Sequence, residues 1–169
     1  QVRAVEFSPD GTQILSASGS VIGEEPGLVL WDAETGDEIQ QFGGTFVLSV
    51  AFSPDGTQAL SGDFSGNLVL WDLESGQEIN QLAGHATSIN SIAFSPDGKL
   101  DLSASGDSTG PNGFESGELI LWDVKNGVEI TRFEGHTAGV NDVAFSPDGT
   151  QALSGSGDLL SYPGIGELI

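Results

Sequence analysis

Apolar and polar residues alternate along this chain in short runs with period two. SVAFS at 49–53 and SIAFS at 91–95 put Val50, Phe52, Ile92 and Phe94 on one side of an extended backbone, with polar or small residues on the other. The runs DEIQQF, QEINQL and VEITRF alternate in the same way, whereas LVLWD at 28–32 and 68–72 is apolar almost throughout. No segment longer than a few residues carries the 3.6-residue period of an amphipathic helix, so the pattern predicts an all-β chain.

The alternating runs recur in a fixed order. FSPDG occurs at 7–11, 52–56, 94–98 and 145–149, and LWD follows the first three copies, ending at Asp32, Asp72 and Asp123. The twelve residues AFSPDGTQALSG stand at 51–62 and again at 144–155. Each SPDG predicts a tight turn: Pro presets φ, Asp bonds to its own backbone, and Gly accepts a positive φ at the exit. One unit therefore reads as four short strands: the run before FSPDG, the run after it, the LWD strand, and the EIxxF strand beyond a polar turn ending in Gly.

Composition narrows the partners. Twenty-five acids face four bases in 169 residues, a formal charge of −21. Phosphate backbones are bound by clustered Lys and Arg, so nucleic acid is excluded as a direct partner, and an anionic membrane surface repels such a chain. The absence of Cys rules out a disulfide framework and a thiolate zinc site. No apolar run approaches the roughly 18 residues of a membrane-spanning helix. Acidity without Cys leans towards an extracytoplasmic setting, although a cytoplasmic one fits as well.

The GH, FSPDG and LWD pattern resembles the WD-repeat β-propeller family, and its compact wording resembles bacterial members. The resemblance covers essentially the whole chain. It implies four-stranded antiparallel blades in an incomplete ring: blade 1 at 1–42, blade 2 at 43–83, blade 3 at 84–134 and a partial blade 4 at 135–169. It also implies a hydrogen-bonded network inside each blade, joining the His before the first strand, a Ser of the second strand, an Asp in the following turn and the Trp of LWD. The matching residues are His85, Ser103 and Trp122 in blade 3, His136 and Ser154 in blade 4, Ser61 and Trp71 in blade 2, and Ser16 and Trp31 in blade 1. Gly44 stands where blade 2 would carry His, and Ser65 where its turn Asp would fall. A Ser-His-Asp hydrolase is the sharper reading of the same residues; the repeat position of both histidines favours the structural one, and no catalytic residue or metal ligand is assigned.

Extra length falls between the second and third strands. Phe to Trp takes 19 residues in repeat 2, 24 in repeat 1 and 28 in repeat 3. Alternating strand direction brings these loops out on the face that carries the GH connections. Val21, Ile22, Glu24, Glu25, Asp107, Asn112, Phe114, Glu115 and Tyr162 are the candidate partner-binding residues there, because recognition concentrates on loops held by a rigid scaffold. The carboxylates of Glu24, Glu25, Asp107, Glu115 and Glu118 are candidates for calcium, without a supporting ligand spacing; no other cofactor is expected. GELI at 166–169 repeats the start of GELILWD at 117–123, so the fourth blade is expected to need further blades or another chain to cover its edge. The expected function is a non-enzymatic scaffold for protein partners, with a structural subunit of a cell-surface assembly as the alternative.

Overall fold

The structure, a computed structural model, describes residues 1–19, 27–44, 46–106, 117–157 and 166–168. Fifteen strands form among them, and no helix. The first sheet holds β1 (Val2–Phe7), β2 (Gln13–Ser18), β3 (Leu28–Asp32) and β4 (Glu38–Phe42). The second holds β5 (Val47–Phe52), β6 (Gln58–Asp63), β7 (Asn67–Asp72) and β8 (Glu78–Ala83). The third holds β9 (Ile89–Phe94), β10 (Leu100–Ser105), β11 (Glu118–Asp123) and β12 (Val128–Phe133). In the fourth, β13 (Val140–Phe145) pairs with β14 (Ala152–Gly157), which pairs with the short β15 (Gly166–Leu168). Every pairing is antiparallel, and sequential strands are neighbours throughout.

Each sheet is one blade of a propeller. The first strands β1, β5, β9 and β13 stand side by side in that order, so the blades fan out around a common axis as a partial ring.

The SPDG turns repeat atom for atom. Asp10 Oδ1 accepts from Ser8 Oγ at 2.6 Å and from Thr12 N at 3.0 Å, while Ser8 Oγ accepts from Gln13 N at 2.9 Å. Asp55, Asp97 and Asp148 repeat the bond from the preceding Ser hydroxyl at 2.7, 2.8 and 2.6 Å. The turn glycines Gly11, Gly56, Gly98 and Gly149 sit at φ of 70–73°, a region costly for any residue with a Cβ. These bonds hold the turn carboxylates below the usual range: Asp148 to about 2, chiefly through Ser146, and Asp97 to about 2, chiefly through Lys99.

The apolar core lies between blades. Leu15, Leu28, Leu30 and Phe42 of blade 1 pack on Phe52, Ala59 and Trp71 of blade 2. Leu60, Leu68, Leu70 and Leu82 of blade 2 pack on Ile92, Trp122 and Val124 of blade 3. Leu102, Ala104 and Leu119 of blade 3 meet Val140 and Val143 of blade 4. Each sheet thus buries the face it turns towards its neighbour, and the tryptophan of one blade closes the gap onto the blade before it.

Candidate functional site

The blade networks are built where the second and third strands run side by side. Trp122 Nε1 donates to Ser103 Oγ at 2.7 Å, and His85 Nε2 lies 2.6 Å from the same oxygen. Ser103 is fully buried and Trp122 is 1% exposed. The Ser103 hydroxyl is therefore spent on two buried partners and has no path to a substrate, which argues against the hydrolase reading. In blade 4, His136 Nε2 lies 2.7 Å from Ser154 Oγ. Blades 1 and 2 keep the tryptophan bond without a histidine: Trp31 Nε1 to Ser16 Oγ and Trp71 Nε1 to Ser61 Oγ, both 2.8 Å. Gly44 takes the place of the missing histidine in blade 2 at a φ of 110°.

In blade 2 the turn carboxylate is not where the repeat pattern puts it. In blade 2, where Ser65 occupies the expected turn position, Asp63 at the end of β6 holds the turn. It accepts from Ser65 N at 2.8 Å, Asn67 N at 2.9 Å and Asn67 Nδ2 at 2.7 Å. In blade 3, Glu118 at the start of β11 supplies the charge. Its Oε2 lies 3.3 Å from His85 Nδ1 and accepts from Ala86 N at 3.1 Å, and its Oε1 accepts from Arg132 Nη1. Arg132 Nη2 also reaches Glu129 Oε2 and the Gly84 carbonyl, both at 2.9 Å. Burial lowers the His85 pKa, and Glu118 partly opposes that shift. Glu118 is thus a structural anion held by an arginine. The motif pattern does not single out Arg132; its opposite charge on the paired strand β12, beside Glu118, is the signal that could have.

Nine predicted partner-binding residues, Val21, Ile22, Glu24, Glu25, Asp107, Asn112, Phe114, Glu115 and Tyr162, lie outside the described residues. Among the described residues no group of three or more His, Asp or Glu side chains is placed to hold a metal ion. The described residues carry an aromatic group that the sequence reading missed. Phe46, before β5, and Phe64, in the β6–β7 turn, pack edge to face with ring centroids 5.3 Å apart. The Arg3 guanidinium lies 5.5 Å from the centre of the Phe46 ring. Phe64 is 52% exposed, and Phe46 is held at a φ of 57°, a left-handed conformation that costs a bulky residue about 1–3 kcal/mol. Such strain persists only where surrounding contacts over-determine it, and here Gly19 and Phe64 pack on the ring.

Comparison with known proteins follows this geometry. The family model for the WD domain, G-beta repeat, matches residues 36–72, 76–109 and 127–159, more than half of the chain. Each match begins just before a fourth strand, β4, β8 or β12, and continues into the next sheet, so the sequence repeat is offset from the blade by one strand. The chain is similar to WD repeat-containing protein 1 of Gallus gallus, 34% identical over 80 residues, 46% of this chain and 12% of that protein. It is 31% identical over 77 residues to Protein groucho of Drosophila melanogaster, 46% of this chain and 9% of that protein. It is 36% identical over 78 residues to Nuclear distribution protein PAC1-2 of Uncinocarpus reesii, 46% of this chain and 17% of that protein. The matched stretch thus spans less than a fifth of each relative's length. All three relatives are eukaryotic, so the expectation of a bacterial style finds no support; compact turns and short strands follow from blade geometry, which the relatives share.

Proposed function

The chain belongs to the WD domain, G-beta repeat family, and on that premise we propose that it is a non-enzymatic scaffold that holds protein partners on the loop-bearing rim of its blades. WD-repeat proteins act as protein-interaction scaffolds, and a rigid array of sheets offers a broad surface without moving parts. The observation that carries the rim assignment is the Arg3–Phe46–Phe64 group. An aromatic pair topped by a guanidinium, half-exposed on strained backbone, has the composition of an interface hot spot. No nucleic acid is expected there, because a chain of charge −21 with four bases lacks the clustered cations that phosphates need.

The test is crosslinking and mass spectrometry in native extract, with the unaltered chain and with Phe64→Ser. A protein captured by the first and lost by the second, with circular dichroism unchanged, supports the rim. Phe114→Ser and Tyr162→Ser extend the test to the long loops. Equal capture by all of these chains refutes it.

A further inference from the structure

One position of the repeat carries a carboxylic acid where the other blades carry an apolar side chain. Asp101 in β10 stands where blade 1 has Ile14, blade 2 has Ala59 and blade 4 has Ala152, each opposite the FSPDG phenylalanine of the first strand. In blades 1, 2 and 3 the same position also faces the tryptophan of the third strand. Directly opposed residues of neighbouring strands share a face of the sheet, so Asp101 lies on the face of Phe94 and Trp122. That face is turned towards blade 2, where Phe94 and Trp122 pack with Leu60, Leu68, Leu70 and Leu82. Asp101 is fully buried there, and neither carboxyl oxygen has a hydrogen-bond partner.

The surrounding strands offer a negative charge no compensation. Strands β5 to β9 and β11 carry no Lys or Arg. Their titratable groups are acids: Asp63 and Asp72 at the ends of β6 and β7, Glu78 on β8, and Glu118 and Asp123 at the two ends of β11. Lys99 and Lys125 are exposed in the adjoining turns, with Lys99 held by Asp97 at 2.9 Å. Arg132 on β12 is held by Glu118 and Glu129. His85 meets the Trp122 ring edge to face with centroids 6.2 Å apart, and burial lowers its pKa, which leaves it neutral near pH 7. Burial raises the Asp101 pKa well above the usual carboxylate range, and the Ala93 backbone amide opposes that shift only in part.

We propose that the junction between blades 2 and 3 is a proton-operated joint: with Asp101 protonated the two apolar faces stay closed, and its ionisation drives a local opening that brings water to the carboxylate and uncovers Trp122. Once water reaches it, the carboxyl takes the ordinary value near 3.9, whereas the closed joint holds the proton to higher pH. Opening is therefore least favourable below about pH 4. It becomes easier as pH rises towards the closed-state value, by up to about tenfold per pH unit. His85 acts in the opposite sense, because its lowered pKa favours opening as pH falls. The hinge is the inner edge, where Ser49 Oγ donates to the Ile89 carbonyl at 3.0 Å and Ile89 fills the space that a Cβ on Gly62 would need. The joint is separate from the Arg3–Phe46–Phe64 group, and neither reading depends on the other.

The test is deuterium exchange of the Trp122 and Trp71 indole N–H groups, read by NMR on the 169-residue chain across the range from about pH 4 to 8. The two indoles are matched: each donates to a buried serine hydroxyl, at 2.7 and 2.8 Å, but Trp71 faces Ala59 where Trp122 faces Asp101. Both share one intrinsic dependence on pH, so the ratio of their rates reports the joint alone. Exchange at Trp122 relative to Trp71 should accelerate with rising pH, by up to about tenfold per unit. Asp101→Asn, which keeps the shape and cannot ionise, should abolish that rise, and Asp101→Ala, which copies blades 2 and 4, should flatten the ratio in the same way. A ratio that stays constant in the unaltered chain overturns the proposal, including the case in which both indoles lose protection together through global unfolding. A rise that persists in both variants overturns it as well, because another group then drives the opening.

Discussion

Replacing Asp101 by Ala should stabilise this protein, against the general rule that core substitutions destabilise. Asp101 is fully buried in β10 between Phe94 and Trp122, and neither carboxyl oxygen has a hydrogen-bond partner. Burial raises its pKa well above the usual carboxylate range, and the Ala93 backbone amide only partly offsets the shift. The repeat supplies the control, because Ala59 and Ala152 hold this position in blades 2 and 4. An unsatisfied buried polar group costs about 1–3 kcal/mol. Removing three heavy atoms leaves a void of roughly 40 Å³, which at about 24 cal/mol per Å³ returns close to 1 kcal/mol of that gain. The net expectation is up to about 2 kcal/mol of stabilisation near neutral pH, or up to roughly 8 °C in Tm for a domain of this size.

The pH dependence separates this explanation from simple repacking. A folded-state pKa raised above the unfolded value near 3.9 means that the folded chain keeps its proton while the unfolded chain loses it. The contribution is therefore most favourable below about pH 4 and is lost as pH rises through the folded pKa, by up to about 1.4 kcal/mol per unit. Asp101→Asn keeps the shape and removes the titration. Urea unfolding followed by tryptophan fluorescence from pH 4 to 8 should show Asp101→Asn gaining on the unaltered chain as pH rises. A constant difference across that range, or an Asp101→Ala chain less stable than the original at pH 7, refutes the reasoning.

Two further outcomes follow from the blade networks. Ser103→Ala strips both Trp122 and His85 of their partner and should cost about 2–3 kcal/mol in urea unfolding, against about 1 kcal/mol for Ser61→Ala, which orphans Trp71 alone. Glu118→Gln removes the charge that opposes the effect of burial on His85, so the His85 pKa read by NMR should fall further below its usual value; an unchanged pKa counts against the Glu118 contact.

The fold was legible because each blade repeats the same local instructions. FSPDG dictates a turn by its own chemistry, and alternating runs on either side can bury only one face, so four-stranded sheets follow from the sequence period. The Ser–Trp and His–Ser pairs were legible through the family pattern. Asp63, Glu118 and Arg132 were not, because they lie on strands outside the motif positions and only register shows which side chains then meet. Phe46 and Phe64 escaped for a similar reason: eighteen positions apart in the chain, they meet only once β5 and β6 have paired and brought their ends together.

The three blade junctions bear on how such a repeat array is held together. Between blades 1 and 2, Phe42 and Trp71 interlock, and Glu6 reaches across to accept from Phe52 N at 2.8 Å. Between blades 2 and 3, Trp122 fills the gap and Ser49 Oγ donates to the Ile89 carbonyl at 3.0 Å. Between blades 3 and 4, polar stitches are denser: Ser91 Oγ donates to Asp142 Oδ1 at 2.9 Å, and Asn90 Nδ2 donates to the Val140 carbonyl at 3.0 Å. These bonds join the inner strands β9 and β13. A net hydrogen bond contributes about 0.5–1.5 kcal/mol and a buried aromatic side chain several times that. The inner bonds therefore add to the apolar packing of Leu102, Ala104 and Leu119 on Val140 and Val143 in fixing the position of blade 4.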